Sequence, residues 1–365
     1  MTDKRQLGIG IIGTGFARTV QIPAFRACEG ARVVAVASGR RENAERVARE
    51  FDIPFVGETW RDVVSREDVD LVSIVTPPVT HLEMTLAALD AGKAVLCEKP
   101  TAMTATQADA MRERAAGRFA HIDHELRFLP ARRRMRALLR DGAVGRVRHA
   151  KFTFRADSRA TTARAWDWWS DAGAGGGVLG AIGSHAVDSL RWLLGAEVAE
   201  VSCALATHVG ERPVEGGDEL RRVTTDDEAN LLLRFEDSEL TEGATGTISL
   251  SVVEPGRPEH LLEVFGTRGA LRMSRGDELW FAEVGAREWH AVEAERADLA
   301  PGLRDDEWAR GFTLFSREIV RALGEGRTRV EDAATFDDGY RIQLVLDAAR
   351  RSHESGRRER VNRES

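Results

Sequence analysis

Over the first 123 positions, apolar residues fall into short blocks separated by stretches of helical spacing. LGIGII (7–12), ARVVAVA (31–37), VDLVSIV (69–75), KAVLC (93–97) and GRFAHID (117–123) read as strands, the central ones apolar enough to be buried on both faces. Segments 41–51, 79–91 and 104–116 between them carry helical patterns. Such alternation predicts an α/β fold built on a parallel, doubly wound sheet. After residue 123 the rhythm changes. A helix is predicted at 130–141, then longer strands at 146–155, 198–207, 228–236, 246–254, 260–265 and 269–273. In TISLSVV, Ile248, Leu250 and Val252 alternate with small polar residues, as in an antiparallel sheet covered on one face. A glycine-rich loop (173–183) and a charged, turn-rich stretch (210–229) interrupt the strands, and helices near 305–323 and 331–354 close the chain. The expected division is a first domain at 1–123 and a second at 124–365. The basic tail RRSHESGRRERVNR (350–363) reads as a solvated helix end.

Length supports the division, because 365 residues exceed one compact core. Composition is that of a globular protein, 42% hydrophobic and 30% charged. The net charge of −7 gives a nucleic-acid partner no general electrostatic support. Cys28, Cys97 and Cys203 are scattered, odd in number and without metal-ligand spacing, which fits a reducing cytoplasm. The apolar run after the N-terminal charges is too short and glycine-rich for a signal peptide, and no window approaches a membrane span. A cytoplasmic protein with no nucleic-acid or membrane partner is expected.

GIIGTGFAR (10–18) puts Gly13 and Gly15 straight after the first strand and before a helical pattern. Glycines there let backbone N–H groups approach a pyrophosphate, helped by the partial positive charge of a helix start. Gly13, Thr14, Gly15, Phe16 and Ala17 are therefore expected at a dinucleotide. Where a third small residue usually follows, Arg18 stands, with Ala17 one place early. The second strand runs into SGRR (38–41) rather than into the acidic residue that would hold a ribose. Ser38 can donate to a 2′-phosphate, Gly39 lets backbone approach, and Arg40 or Arg41 can supply a forked contact. A hydrogen bond to a charged group is worth about 1.5–3 kcal/mol, so one such arginine shifts preference by roughly ten- to a hundredfold. NADP(H) is expected over NAD(H).

Ligands of an open parallel sheet bind beyond the carboxyl ends of its strands. IVTPPVTH (74–81) and LCEKP (96–100) end two of those strands, so Thr76, Pro77, His81, Glu98 and Lys99 are expected beside the same cofactor. A lysine in such a crevice can move a proton near neutral pH. Further on, GGGVLGAIGSHAVD (175–188) leads into a buried helical pattern with His185 and Asp188 three apart on one face. AWDWWSDAG (165–173) adds three tryptophans, readable equally as sugar-stacking rings or core anchors, and Asp171, a residue able to face a crevice. If HIDHE (121–125) continues as a strand, His121, Asp123 and Glu125 share one face with Ile122 and His124 on the other; the histidines split, and no metal is expected.

Taken in order, the glycine turn, the TPxxxxH-like segment, EKP and GGGxLxxxGxHxxD resemble the Gfo/Idh/MocA family of oxidoreductases, from about Leu7 to about Arg350. The resemblance implies an N-terminal Rossmann domain and a C-terminal α/β domain with a large, mainly antiparallel open sheet, whose outer face makes oligomer contacts, as a dimer or tetramer. It implies that Lys99 and His185 are the catalytic pair, that Lys99–Pro100 is a cis peptide, and that Asp188 is the nearby acidic position. Glu125 and Arg127, in the ELRF segment (125–128), fall at the substrate. Substrates in the family are commonly sugars, inositols and related polyols. Two departures stand out: the family's aspartate four residues before the histidine is Ala181, and its asparagine in N-x-R-F is Glu125. The first keeps two alternatives open, a redox-neutral elimination or glycosidic cleavage through transient oxidation, and a non-catalytic sensor of NADP(H) or a sugar.

Overall fold

The computed structural model describes residues 6–361, Asp218 and Asp277 excepted. The outermost residues of both expected domains, Asp218 of the turn-rich stretch, and Asn362 and Arg363 of the basic tail lie outside the described residues. The chain divides into two compact units: residues up to Leu129 with Ala297–Tyr340, and Pro130–Arg296 with the residues from Arg341 on. This differs from the expected 1–123 and 124–365. The first unit takes six more residues and then recovers a segment from far down the chain.

In the first unit the strands are β1 (Leu7–Ile12), β2 (Ala31–Ala37), β3 (Phe55–Val56), β4 (Leu71–Ile74), β5 (Ala94–Cys97) and β6 (Ala120–Ile122). They pair in the order β3-β2-β1-β4-β5-β6, every neighbour parallel. Strands buried on both faces need no alternation, which is why they read as unbroken apolar runs. Helices α1 (Ile22–Arg26), α2 (Arg41–Phe51), α3 (Trp60–Val64), α4 (His81–Asp90) and α5 (Ala105–Ala115) connect them. α2 starts and ends where its spacing predicts. β3 and α3 were not predicted, being two and five residues long, too short for a period to show.

The recovered segment carries an 18-residue helix, Glu307–Gly324, which completes the core on one side of the sheet. Its Phe312 meets Phe25 edge-on at 5.4 Å, and its Phe315 stacks on Phe128 at 4.4 Å. The other side packs α3, α4 and α5 around Ile12, Val72 and Ile74. The expected strand HIDHE stops at Ile122, and a single 3-10 turn begins at Glu125, so the shared face of His121, Asp123 and Glu125 does not form. His121 instead ties β6 to the recovered segment. Its Nε2 accepts from Val330 N at 3.0 Å, so its Nδ1 carries the hydrogen toward Ala334 O at 3.2 Å.

The second unit opens with α6 (Pro130–Arg140) and contains α7 (Ser184–Leu194). Its strands are β7 (Val147–Arg155), β8 (Val198–Ala206), β9 (Glu211–Pro213), β10 (Leu220–Arg222), β11 (Glu228–Phe235), β12 (Thr241–Ser251), β13 (Glu259–Gly266), β14 (Gly269–Met273), β15 (Leu279–Glu283), β16 (His290–Val292) and β17 (Glu359–Arg360). With the Glu307–Gly324 helix as α8, the last helix, Phe336–Ser355, is α9, and its residues from Arg341 on belong to this unit. Among the described residues nine strands form one sheet, β16-β15-β14-β13-β7-β12-β11-β8-β17. Only the β7–β12 pair is parallel. Alternation decides its faces: Ala229, Leu231, Leu233 and Phe235 of β11 join a core with α6, α7 and α9, whereas Leu232 is 64% exposed. The basic tail is not simply a solvated helix end. α9 stops at Ser355, and β17 pairs with Val201 and Glu200 at the edge of the sheet. Among the described residues no helix is long and apolar enough to cross a membrane.

Burial pushes the His121 imidazole down from 6.5 to about 4. The folded state therefore refuses a proton that the unfolded chain accepts as pH falls below 6.5. Stability should decline between pH 6.5 and 4 by on the order of 3 kcal/mol from this group. Urea unfolding across that range should show the decline, and His121→Gln should flatten it.

Candidate active site

The turn between β1 and the first helical segment is set by Gly13, whose φ of +99° favours glycine. A Cβ there would lie 2.0 Å from Val75 O, because the chain leaving β4 passes directly against the turn. Gly15 meets nothing within 4 Å, so the space above it is open. A helical run follows from Gly15 to Arg26, and its Ala17–Gln21 part is π-helical. Arg18, in the place of the third small residue, lies outward and pairs with Glu50 at 2.6 Å.

Ser38 follows β2, and its Oγ lies 3.3 Å from Thr14 Oγ1, which joins the two hydroxyls expected at a dinucleotide. Arg40 is the N-cap residue of α2. Arg41, one residue on, pairs with Glu45 at 2.9 Å and also with Glu58. Arg41 therefore has two carboxylates to satisfy.

Thr76 and Pro77 follow β4, and Thr80 Oγ1 donates to Thr76 Oγ1 at 2.8 Å. His81 does not reach the open crevice. It is fully buried, with Nε2 2.8 Å from Thr76 O and Nδ1 3.0 Å from Pro100 O. Burial holds its pKa below the ordinary histidine value, so the neutral ring donates to one carbonyl and rests against the other. It braces the β4 loop against the β5 loop, and its place at a cofactor is withdrawn. The peptide between Lys99 and Pro100 is cis. Glu98 is turned inward rather than toward a ligand, accepting from Gln21 Nε2 at 3.1 Å. Its carboxyl is raised above the usual range by burial, against the pull of Lys99.

In the ELRF turn, Glu125 and Arg127 are both buried. Arg127 spends its terminal nitrogens inside the first unit, on Asp332 O at 3.3 Å and Asp338 Oδ1 at 3.2 Å. It fastens the recovered segment, which removes it from the expected substrate set. Glu125 is approached by Gly311 of α8, where a Cβ would stand 2.8 Å from Glu125 O.

In the second unit the glycine run has a packing reason. A Cβ on Gly176 would meet Trp169 O at 2.2 Å, and one on Gly177, with φ +100°, would meet Asp226 Oδ1 at 2.5 Å. Asp226 in turn accepts from Leu179 N at 2.6 Å and organises the turn at Leu179–Gly183 that contains Ala181. α7 begins at Ser184, and its His185 and Asp188 are both buried, one turn apart. Asp171 caps the next short turn, its Oδ1 accepting from Gly173 N at 2.9 Å. The three tryptophans divide: Trp168 is exposed, Trp169 packs on the core under Arg159, and Trp166 lies beneath Arg221 at 3.5 Å. Sequence reasoning missed Gln21 and Ser73, two fully buried polar side chains. The signal was a lone polar residue within each of two otherwise apolar runs, VQIPAF (20–25) and LVSIV (71–75).

Residues 7–120 match the model of an oxidoreductase family with an NAD-binding Rossmann fold, and residues 132–272 that of a GFO/IDH/MocA C-terminal domain. Glucose-fructose oxidoreductase domain-containing protein 2 of Homo sapiens is 31% identical, covering 97% of this chain and 93% of its own. Levoglucosan dehydrogenase of Pseudarthrobacter phenanthrenivorans is 28% identical over 94% of this chain and 95% of its own. Among solved structures, an oxidoreductase domain protein from Kribbella flavida superposes with a TM-score of 0.87 at 30% identity, covering 98% of this chain and all (100%) of the other. A levoglucosan dehydrogenase in complex with NADH and levoglucosan gives 0.86 at 27% identity, with 98% and 100% covered.

Gly13→Ala puts a side chain against a backbone oxygen and strains φ. It should cost at least about 1–3 kcal/mol, measured as a lower unfolding midpoint in urea.

Proposed function

Because this chain belongs to the Gfo/Idh/MocA family of oxidoreductases, we propose that it is an NADP-dependent dehydrogenase acting on a carbinol carbon of a cyclic sugar, inositol or related polyol. What carries the reading is the gathering, within the first unit, of the Gly13 turn, the Thr14–Ser38 hydroxyl pair and the cis Lys99–Pro100 turn, all at the carboxyl ends of parallel strands. A nicotinamide dinucleotide, when bound, supplies the site that accepts or donates hydride.

This chain's residues do the rest. The backbone of Gly13–Gly15 and the helix start beyond it suit a pyrophosphate, since the turn leaves no room for a side chain at Gly13 and open space at Gly15. Ser38 and Arg40 read the 2′-phosphate, Ser38 as a donor and Arg40 as a fork. Lys99 hydrogen-bonds the reacting oxygen and, with His185, moves its proton. Asp188 orients the histidine or a neighbouring hydroxyl, and Asp171 and Glu125 bind further hydroxyls. Ala181 offers no carboxylate, so the burden of the reacting hydroxyl falls on Lys99 and His185. Assembly as a dimer or tetramer through the open face of the large sheet, in the cytoplasm, belongs to the same reading.

Mixing the protein with NADP or NAD and a panel of cyclic sugars and inositols, levoglucosan included, and following reduced-nicotinamide absorbance tests the activity. Lys99→Ala should lower turnover by roughly a hundred- to ten-thousandfold while coenzyme binding persists. Arg40→Ala should shrink the NADP-to-NAD affinity ratio by about ten- to a hundredfold; an unchanged ratio would take the phosphate-reading role from Arg40.

A further inference from the structure

Beneath the Glu98–Lys99–Pro100 turn lies a group of buried polar side chains that the proposed chemistry leaves unused. Gln21 comes from the helical segment after β1, Ser73 from β4, and Glu98 and Asp123 directly follow β5 and β6. Backbone bonds fix the last two, Glu98 N donating to Ile74 O at 2.9 Å and Asp123 N to Cys97 O at 2.8 Å. Ser73 Oγ donates to Gln21 Oε1 at 2.6 Å. Gln21 Nε2 then donates to Glu98 Oε1 at 3.1 Å and to Asp123 Oδ2 at 2.9 Å.

One amide nitrogen therefore serves two carboxyl groups, which holds these two buried acids close together. Two buried carboxylates so placed repel each other, and a proton on one of them removes the repulsion and gives it a hydrogen to donate. Asp123 Oδ1 is buried and receives no N–H or O–H donor, which suits an oxygen that carries a hydrogen itself. Burial, Glu125 and Glu98 all push the Asp123 carboxyl well above the ordinary range, against the pull of Lys99. Cys97, a further titratable neighbour, is kept a neutral thiol by burial.

We propose that Asp123 is a positioning residue: as a neutral acid it donates to the Glu98 carboxylate, and the pair, bridged by Gln21, holds the Glu98–Lys99–Pro100 turn in place with a single negative charge beside Lys99. The role rests on the dehydrogenase reading of Lys99. When alkali removes the shared proton, a second charge appears on buried Asp123, whose Oδ1 receives no donor among the described residues, and the turn is driven out of place. The sign follows: a carboxyl raised on folding stabilises the fold at low pH and loses that contribution as pH climbs through its folded value.

Asp123→Asn preserves both contacts, its amide donating to Glu98 and accepting from Gln21, and does not titrate. Asp123→Leu loses both. Infrared spectra at pH 7 should show a protonated-carboxyl band in the wild type that Asp123→Asn removes. Against the sugar that the panel identifies, wild-type kcat/KM should fall about tenfold per pH unit beyond an alkaline limb. That limb should vanish in Asp123→Asn, and Asp123→Leu should be impaired at every pH. No such band in the wild type, or an identical limb in wild type and Asp123→Asn, overturns the proposal. A band lost in Asp123→Asn from a protein that oxidises no sugar on the panel upholds the shared proton and counts against the dehydrogenase reading instead.

Discussion

Gln21 is where the first unit closes on itself. Its oxygen takes the Ser73 hydroxyl, and its nitrogen serves the Glu98 and Asp123 carboxyls. Through this one amide the helical segment after β1 is joined to β4 and to the residues after β5 and β6. Hydrogen bonds to charged groups are worth about 1.5–3 kcal/mol, and a buried partner left unsatisfied costs a similar amount. No apolar residue at position 21 would serve, because two carboxyl groups would then be buried with nothing to receive from the helix. The cis turn at Lys99 thus rests on a polar floor.

The strands were legible because burial leaves a simple mark. β1, β2 and β14 begin and end where apolar runs or alternation predict, and α2 does so through its amphipathic spacing. What escaped were features without a local period: the two-residue β3, and the return of residues 297–340 to the first unit. That return is made by contacts such as Phe25 with Phe312 and Phe128 with Phe315, between residues far apart in the chain. Nothing in the local pattern of 307–324 says which sheet it will cover.

At the site, residue type was legible and direction was not. Gly13 could be read because a turn that passes against Val75 O tolerates nothing else. His81, Glu98 and Arg127 were expected to face a ligand. Each is spent on the protein: His81 on two carbonyls, Glu98 on Gln21, and Arg127 on Asp332 and Asp338. A side chain at a strand end can turn outward to a crevice or inward to its neighbours. That choice depends on donors supplied from elsewhere in the chain.

The same logic separates Arg40 from Arg41. Within SGRR the two are interchangeable as cations, but α2 begins between them. Arg41, on the first turn, reaches Glu45 one turn on and Glu58 beyond β3, so its charge is already balanced. Arg40 has extended backbone at the cap, with φ −114° and ψ 116°, and belongs to the loop that carries Ser38. On the proposed reading, a helix start has partitioned two identical residues between holding the fold and reading a phosphate.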